Sequence, residues 1–229
     1  CQDAYVGKVS ASGSWVWVIR AGGAGCDWAS DIRALSDGSS IVTGTFRGTA
    51  NFGGTTLVSE GSSDVFVAKL SPSGSWVWAL SAGWTGIESS TGISVLPDGS
   101  SVATGMFPGR AVFGSHTITG SANNDDIFVA KVSAAGEWVW ALRAGGGDTD
   151  YASSVKVAPD GTAYVVGQFG ASAAFGTTTL VSAGVSDVFV AKVSAQKNHA
   201  AFFAENNGPE SHAHPVPADH VSSQLSRLL

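Results

Sequence analysis

The stretch Asp64-Val-Phe-Val-Ala-Lys-Leu-Ser71, followed after the turn Pro72-Ser-Gly74 by Ser75-Trp-Val-Trp-Ala-Leu80, decides the fold. Both runs are short and rich in β-branched and aromatic residues, and a Gly-containing turn separates them, as in an antiparallel hairpin. Their apolar residues are almost continuous instead of alternating, the pattern of strands buried on both faces. A lone antiparallel sheet supplies one buried face, whereas small sheets stacked face to face supply two. Trp76 and Trp78 are two positions apart, which predicts both on one face of their strand, filling the wedge between neighbouring sheets.

The same text recurs along the chain. Asp3, Asp64, Asp126 and Asp187 head equivalent strands at 4–9, 65–70, 127–132 and 188–193, a period of about 61 residues. Trp-Val-Trp runs follow at Trp15, Trp76 and Trp138, then Ala-Gly pairs at Ala21, Ala82 and Ala144. A second hairpin turns at Asp37-Gly38, Asp98-Gly99 and Asp160-Gly161, and Asp-Gly between β-rich runs is the strongest short-range hairpin signal. Phe-Gly segments at Phe52, Phe113 and Phe175 close the units, giving four clear strands each and a short fifth.

Four-stranded sheets stacked radially make a β-propeller. The order of the motifs resembles the bacterial β-propeller repeat family labelled SBBP, where an Asp-Gly hairpin alternates with a D-x-F-V-A-K strand and a G-x-W run. The resemblance covers about residues 3–194. It implies a propeller-like fold in large surface or secreted proteins without assigned catalysis. The expected architecture is therefore all-β and β-propeller-like, with about three blades of four antiparallel strands in residues 1–194 and a non-repeat tail over 195–229. The chain enters at the third strand of a blade. It either leaves after the third strand of its last blade or adds a degenerate fourth at 199–203, which aligns with 138–142. The prolines of 208–217 exclude regular sheet there. Residues 219–229 read as a short helix capped by Asp219, either a frayed terminus or a tail that docks on a neighbouring copy.

Composition narrows the function. Apolar residues make up 44% of the chain and charged residues 13%, with 30 glycines, which suits an all-β protein with many turns. A net charge of -6 without clustered Lys and Arg excludes a nucleic-acid surface. No apolar run approaches the roughly 18 residues of a membrane-spanning helix. The start at Cys1, without Met, reads as a processed form or a fragment.

Cys1 and Cys26 fall at the same end of the first hairpin; their counterparts are Ser62 with Ile87 and Asn124 with Thr149. A disulfide is expected, which implies an oxidising compartment. Lipidation of Cys1 as a surface anchor is the alternative, and it leaves no flexible tether before the strand. The acids of Asn124-Asp-Asp126 and Asp148-Thr-Asp150 read as solvated loop residues, and Lys8, Lys69, Lys131 and Lys192 as members of a repeated salt bridge. His212, His214 and His220 sit in the Pro-rich tail, so no metal set is assigned, and no cofactor. Before residue 195 the only histidine is His116, so no Ser/His/Asp set can be assembled. The leading expectation is a non-enzymatic extracellular or cell-surface structural protein, a homo-oligomer whose unfinished blades associate into a ring or filament. The alternative is a lectin-type module binding a glycan on Trp28, Trp84 and Tyr151, which lie in the loops after the Trp strands but not at equivalent positions.

Overall fold

The computed structural model describes residues 1–196 and 199–204, and every regular element among them is a strand. The first half contains β1 (Ala4–Val9), β2 (Trp15–Gly23), β3 (Trp28–Ala34), β4 (Ser40–Phe46), β5 (Thr49–Phe52), β6 (Thr55–Val58), β7 (Asp64–Leu70), β8 (Trp76–Ala82) and β9 (Ser89–Val95). The second contains β10 (Ser101–Pro108), β11 (Arg110–Phe113), β12 (His116–Thr119), β13 (Asp125–Val132), β14 (Trp138–Gly146), β15 (Tyr151–Val157), β16 (Ala163–Phe175), β17 (Thr178–Gln196) and β18 (His199–Ala204). No helix among the described residues is long and apolar enough to cross a membrane. The helix expected over 219–229 and the tail histidines His212, His214 and His220 lie outside the described residues.

Strand pairing is antiparallel, and one order repeats. β3-β4-β7-β8 form a four-stranded sheet; β9-β10-β13-β14 and β15-β16-β17-β18 follow the same order. β1 and β2 correspond to the last two strands of such a sheet. The run at 199–203 is thus a strand, β18, paired with β17. Between the second and third strands of each sheet the chain makes a short hairpin: β5–β6, β11–β12, and the adjoining ends of β16 and β17. Each hairpin reaches back to the last strand of the preceding sheet, through Gly22↔Asn51, Gly83↔Val112 and Gly145↔Ala174.

The core lies between successive sheets in three clusters. One joins Val6 and Ala21 to Val42, Phe66 and Leu70; the next joins Val65 and Val67 to Phe128 and Val132; the third joins Ile127 and Val129 to Phe189 and Val193. Residues of one strand therefore serve two cores alternately, and β7 and β13 are buried on both faces. The hairpin phenylalanines plug each gap. Phe113 meets Phe128 with ring centroids 5.1 Å apart and Trp138 edge-on at 5.0 Å; Phe52 repeats this with Phe66 and Trp76, and Phe175 packs on Phe189.

Trp76 and Trp78 do not share a face: a register shift between Lys69 and Leu70 interrupts the alternation, so Trp76 joins the core behind its sheet and Trp78 the core ahead. Shifts recur at Lys8/Val9 and Lys131/Val132. β8 is moreover the edge of its sheet and only half-buried, with Val77 exposed. The strand lysines are not salt-bridged either. Among the described residues the ion pairs are Arg20–Asp3, Arg33–Asp31 and Arg143–Asp126. Lys8 and Lys192 are exposed and Lys69 and Lys131 half-buried; Lys69, Lys131 and Lys192 act on the Asp-Gly turn acids Asp37, Asp98 and Asp160 at longer range, and Lys8 donates to Pro72 O at 3.4 Å.

Candidate functional site

Trp28, Trp84 and Tyr151 sit at three different sheet junctions, and each is taken up by its own neighbour. The Arg47 guanidinium lies 5.5 Å from the Trp28 ring centroid, Arg110 lies 4.3 Å from that of Trp84, and the Tyr151 hydroxyl donates to Gln168 Oε1 at 2.7 Å. The structure does not bring the three together.

The junctions themselves hold the molecule's least expected chemistry. The segment before β7 pairs with the segment before β9: Ser62 N donates to Gly86 O at 2.9 Å and Glu88 N to Ser63 O at 3.0 Å. That pairing sets the strand-head Asp64 beside Glu88. Bonds from Asp27 N to Gln2 O and from Asp150 N to Asp125 O do the same for Asp3 with Asp27 and Asp126 with Asp150. Cys1 and Cys26 are bonded to each other at the first junction, Cα atoms 5.0 Å apart.

Three carboxylate pairs therefore recur, one per junction. Asp27, Asp64, Glu88, Asp126 and Asp150 are all buried, so Asp126 and Asp150 are not the solvated loop acids expected. The strand-head acid clamps the hairpin: Asp64 Oδ2 accepts from Glu60 N at 3.2 Å, Asp187 Oδ2 from Ala183 N at 2.8 Å, and Asp126 from Ser121 N. Its partner accepts from the loop behind it, Asp27 from Gly23 N at 3.0 Å, Glu88 from Trp84 N at 3.1 Å and Asp150 from Gly146 N at 2.7 Å. Only glycine fits above these acids at the second and third junctions. A Cβ on Gly83 would stand 2.5 Å from the Asp64 carboxyl carbon, and Gly145 has φ +140° with Asp126 crowded against it.

Burial raises the acids. It pushes Asp64 and Asp150 up to about 6 and Glu88 to about 7, and lifts Asp27 as well. The neighbouring carboxylate adds to this, Asp64 acting on Glu88 and Asp126 on Asp150. The pairing was open to detection in the sequence: Asp27, Glu88 and Asp150 follow their strand-head acids at a constant offset. The substitution of Glu for Asp in the middle unit hid the series.

No protein-family model matches the chain, and no curated protein matches it. What the chain offers a partner must therefore be read from its surface. Positions buried between sheets are open at the two ends of the stack. Val65, Val67, Ile127 and Val129 are fully buried, whereas their counterparts Val188 and Val190 are 77% and 63% exposed, next to exposed Tyr164 and Val166. At the other end Phe66 and Phe128 are buried, whereas their counterpart Tyr5 is 68% exposed. Trp15, the counterpart of Trp76 and Trp138, is 65% exposed and lies across Gly7. A groove of about 180 Å³ beside it is lined by Tyr5, Gly7, Ile32 and Val42.

Proposed function

We propose that the chain is a non-enzymatic structural protein that assembles with copies of itself by stacking these two end faces, each sheet acting as the blade of a propeller. The exposure of Tyr5, Trp15, Val188 and Val190 at positions buried elsewhere in the molecule carries this reading. Exposed apolar surface rimmed by polar residues marks interaction sites. These faces have complementary partners already on view inside the chain, since the Tyr5 face matches the one Phe66 presents to the sheet behind it. Burying one such side chain contributes about 1.5–3 kcal/mol before the cost of association. The contact is heterologous, so it closes a ring or propagates into a filament according to its rotation. Two copies would place about six or seven sheets around one axis, within the roughly 4–8 of closed propellers. The order and period of the motifs support membership of the SBBP-type repeat family. The Cys1–Cys26 disulfide supports an oxidising, extracellular or cell-surface setting.

Single charges on the faces test the reading. Val190→Asp closes one face and Val18→Asp the other, both at exposed positions. Each variant alone should be monomeric by sedimentation, and an equimolar mixture should give a discrete dimer through the one intact pair of faces. A mixture that stays monomeric while the parent assembles would contradict it.

A further inference from the structure

We infer that the Asp64–Glu88 pair binds an oxygen-preferring divalent cation of the calcium class at the junction between the sheet of β7 and that of β9. The comparison is internal to the chain. At the third junction Arg143 Nε and Nη2 donate to Asp126 Oδ1 at 3.1 and 2.8 Å, and at the first Arg20 donates to Asp3 at 2.7 Å. The equivalent residue at the second junction is Ser81, and Asp64 Oδ1 has no hydrogen-bond partner. The second acid has lost its other donor as well. Asp27 Oδ1 accepts from Arg47 N at 3.3 Å and Asp150 Oδ1 from Gly170 N at 3.0 Å, but the equivalent residue is Pro108, which has no N–H. Glu88 Oε1 is accordingly without a partner.

Two independent substitutions thus remove a cation and a backbone donor from one place while both carboxylates stay. Asp64 is 2% and Glu88 1% exposed. Both carboxylates face the loop 83–86: the Asp64 oxygens lie 2.7 Å from where a Cβ on Gly83 would stand, and Glu88 Oε1 lies 2.8 Å from that of Gly86. Two buried carboxylates that each keep one backbone donor and leave the other oxygen unpaired are costly, and a cation in contact with both relieves the desolvation and the mutual repulsion together. The donors are oxygens only, which selects a hard cation. Calcium accepts irregular sets of carboxylates, carbonyls and water, whereas magnesium demands a near-ideal octahedron. The remaining positions of such a sphere would fall to water and to carbonyls of the loop 83–86.

Terbium tests this, because it occupies calcium sites and is sensitised by an indole in the same loop, here that of Trp84, whose backbone N–H donates to Glu88 Oε2. The chelator-treated chain at pH 7.5 should show saturable terbium emission on tryptophan excitation, displaced by calcium, and its melting temperature should rise with added calcium. Ser81→Arg, which restores the cation of the other two junctions, should abolish both responses and melt no lower than the calcium-free parent. Glu88→Gln should abolish the emission if Ser81→Arg does not fold. No sensitised emission and no thermal shift up to roughly 10 mM calcium, above the range of weak extracellular sites, would overturn the inference. So would a response in Ser81→Arg equal to the parent's, and so would a melting temperature that responds to protons but not to calcium.

Discussion

Asp64 and Glu88 make the stability of this protein depend on pH. Their folded-state pKa values, about 6 and about 7, exceed ordinary carboxylate values chiefly because of burial, with Glu60 acting on Asp64 and Asp64 on Glu88. Below the unfolded values both states are neutral and the acids cost nothing. As pH rises the unfolded chain ionises first, so stability falls and is lost through pH 6–7. Asp150, at about 6 between Asp126 and Arg143, adds the same sign. In chelating buffer the melting temperature should drop between pH 5 and pH 8, and Ser81→Arg should flatten the drop. A parent chain as stable at pH 8 as at pH 5 would rule this out. At this scale the sequence was only half legible. The strand-head aspartates stood out by period, but their partners did not, because Glu88 stands where the other units have Asp27 and Asp150 and so hid a series of constant offset. The turn acids were legible throughout. Asp37, Asp98 and Asp160 accept from Ser39, Ser100 and Thr162 N at 2.8, 2.9 and 2.9 Å, the local bond expected of Asp in a turn.

At the scale of the element, the hairpin of Asp64–Leu80 was read correctly as strand, turn and strand, since period and turn chemistry are local properties. The bulge in it was not, because nothing in Lys69-Leu70 announces the shift that sends Trp76 and Trp78 to opposite faces. That shift has a measurable consequence. Trp138 packs edge-on against Phe113 and donates from Nε1 to Ser81 O at 3.0 Å, so Trp138→Ala should cost about 3 kcal/mol in denaturant melts. Trp15→Ala, at the same repeat position on an open face, should change the stability of the separated monomer by less than about 0.5 kcal/mol. Equal losses at the two positions would mean that Trp15 is covered within its own chain. The first hairpin carries a further staple: the Cys1–Cys26 bond closes a separation of 25 residues and should stabilise the fold by roughly 3 kcal/mol. Intact mass before and after reduction, with melts of both forms, checks this.

For the whole molecule the decisive feature is that an internal contact is repeated and then left open twice. Sheets related by one repeat bury Phe66, Leu70, Phe128 and Val132 against their neighbours, and the same strands at the two ends present Tyr5, Val9, Val188 and Val190 to solvent. The sequence showed the repeat and its phase, entering at the third strand. It did not show which side chains lie on which end face, because that follows from the bulged register and not from the period. If the end faces mate between copies, assembly should strengthen with salts that favour apolar burial and should survive moderate ionic strength, unlike an assembly held by surface ion pairs. The measurement that bears most directly on this is the solution mass of the chain by light scattering over a wide range of concentration. A mass at a multiple of 23.2 kDa, falling toward a single chain only on strong dilution or with Val190→Asp, is the predicted result. A folded 23.2 kDa monomer at every concentration, binding no dye specific for exposed apolar surface, would contradict it.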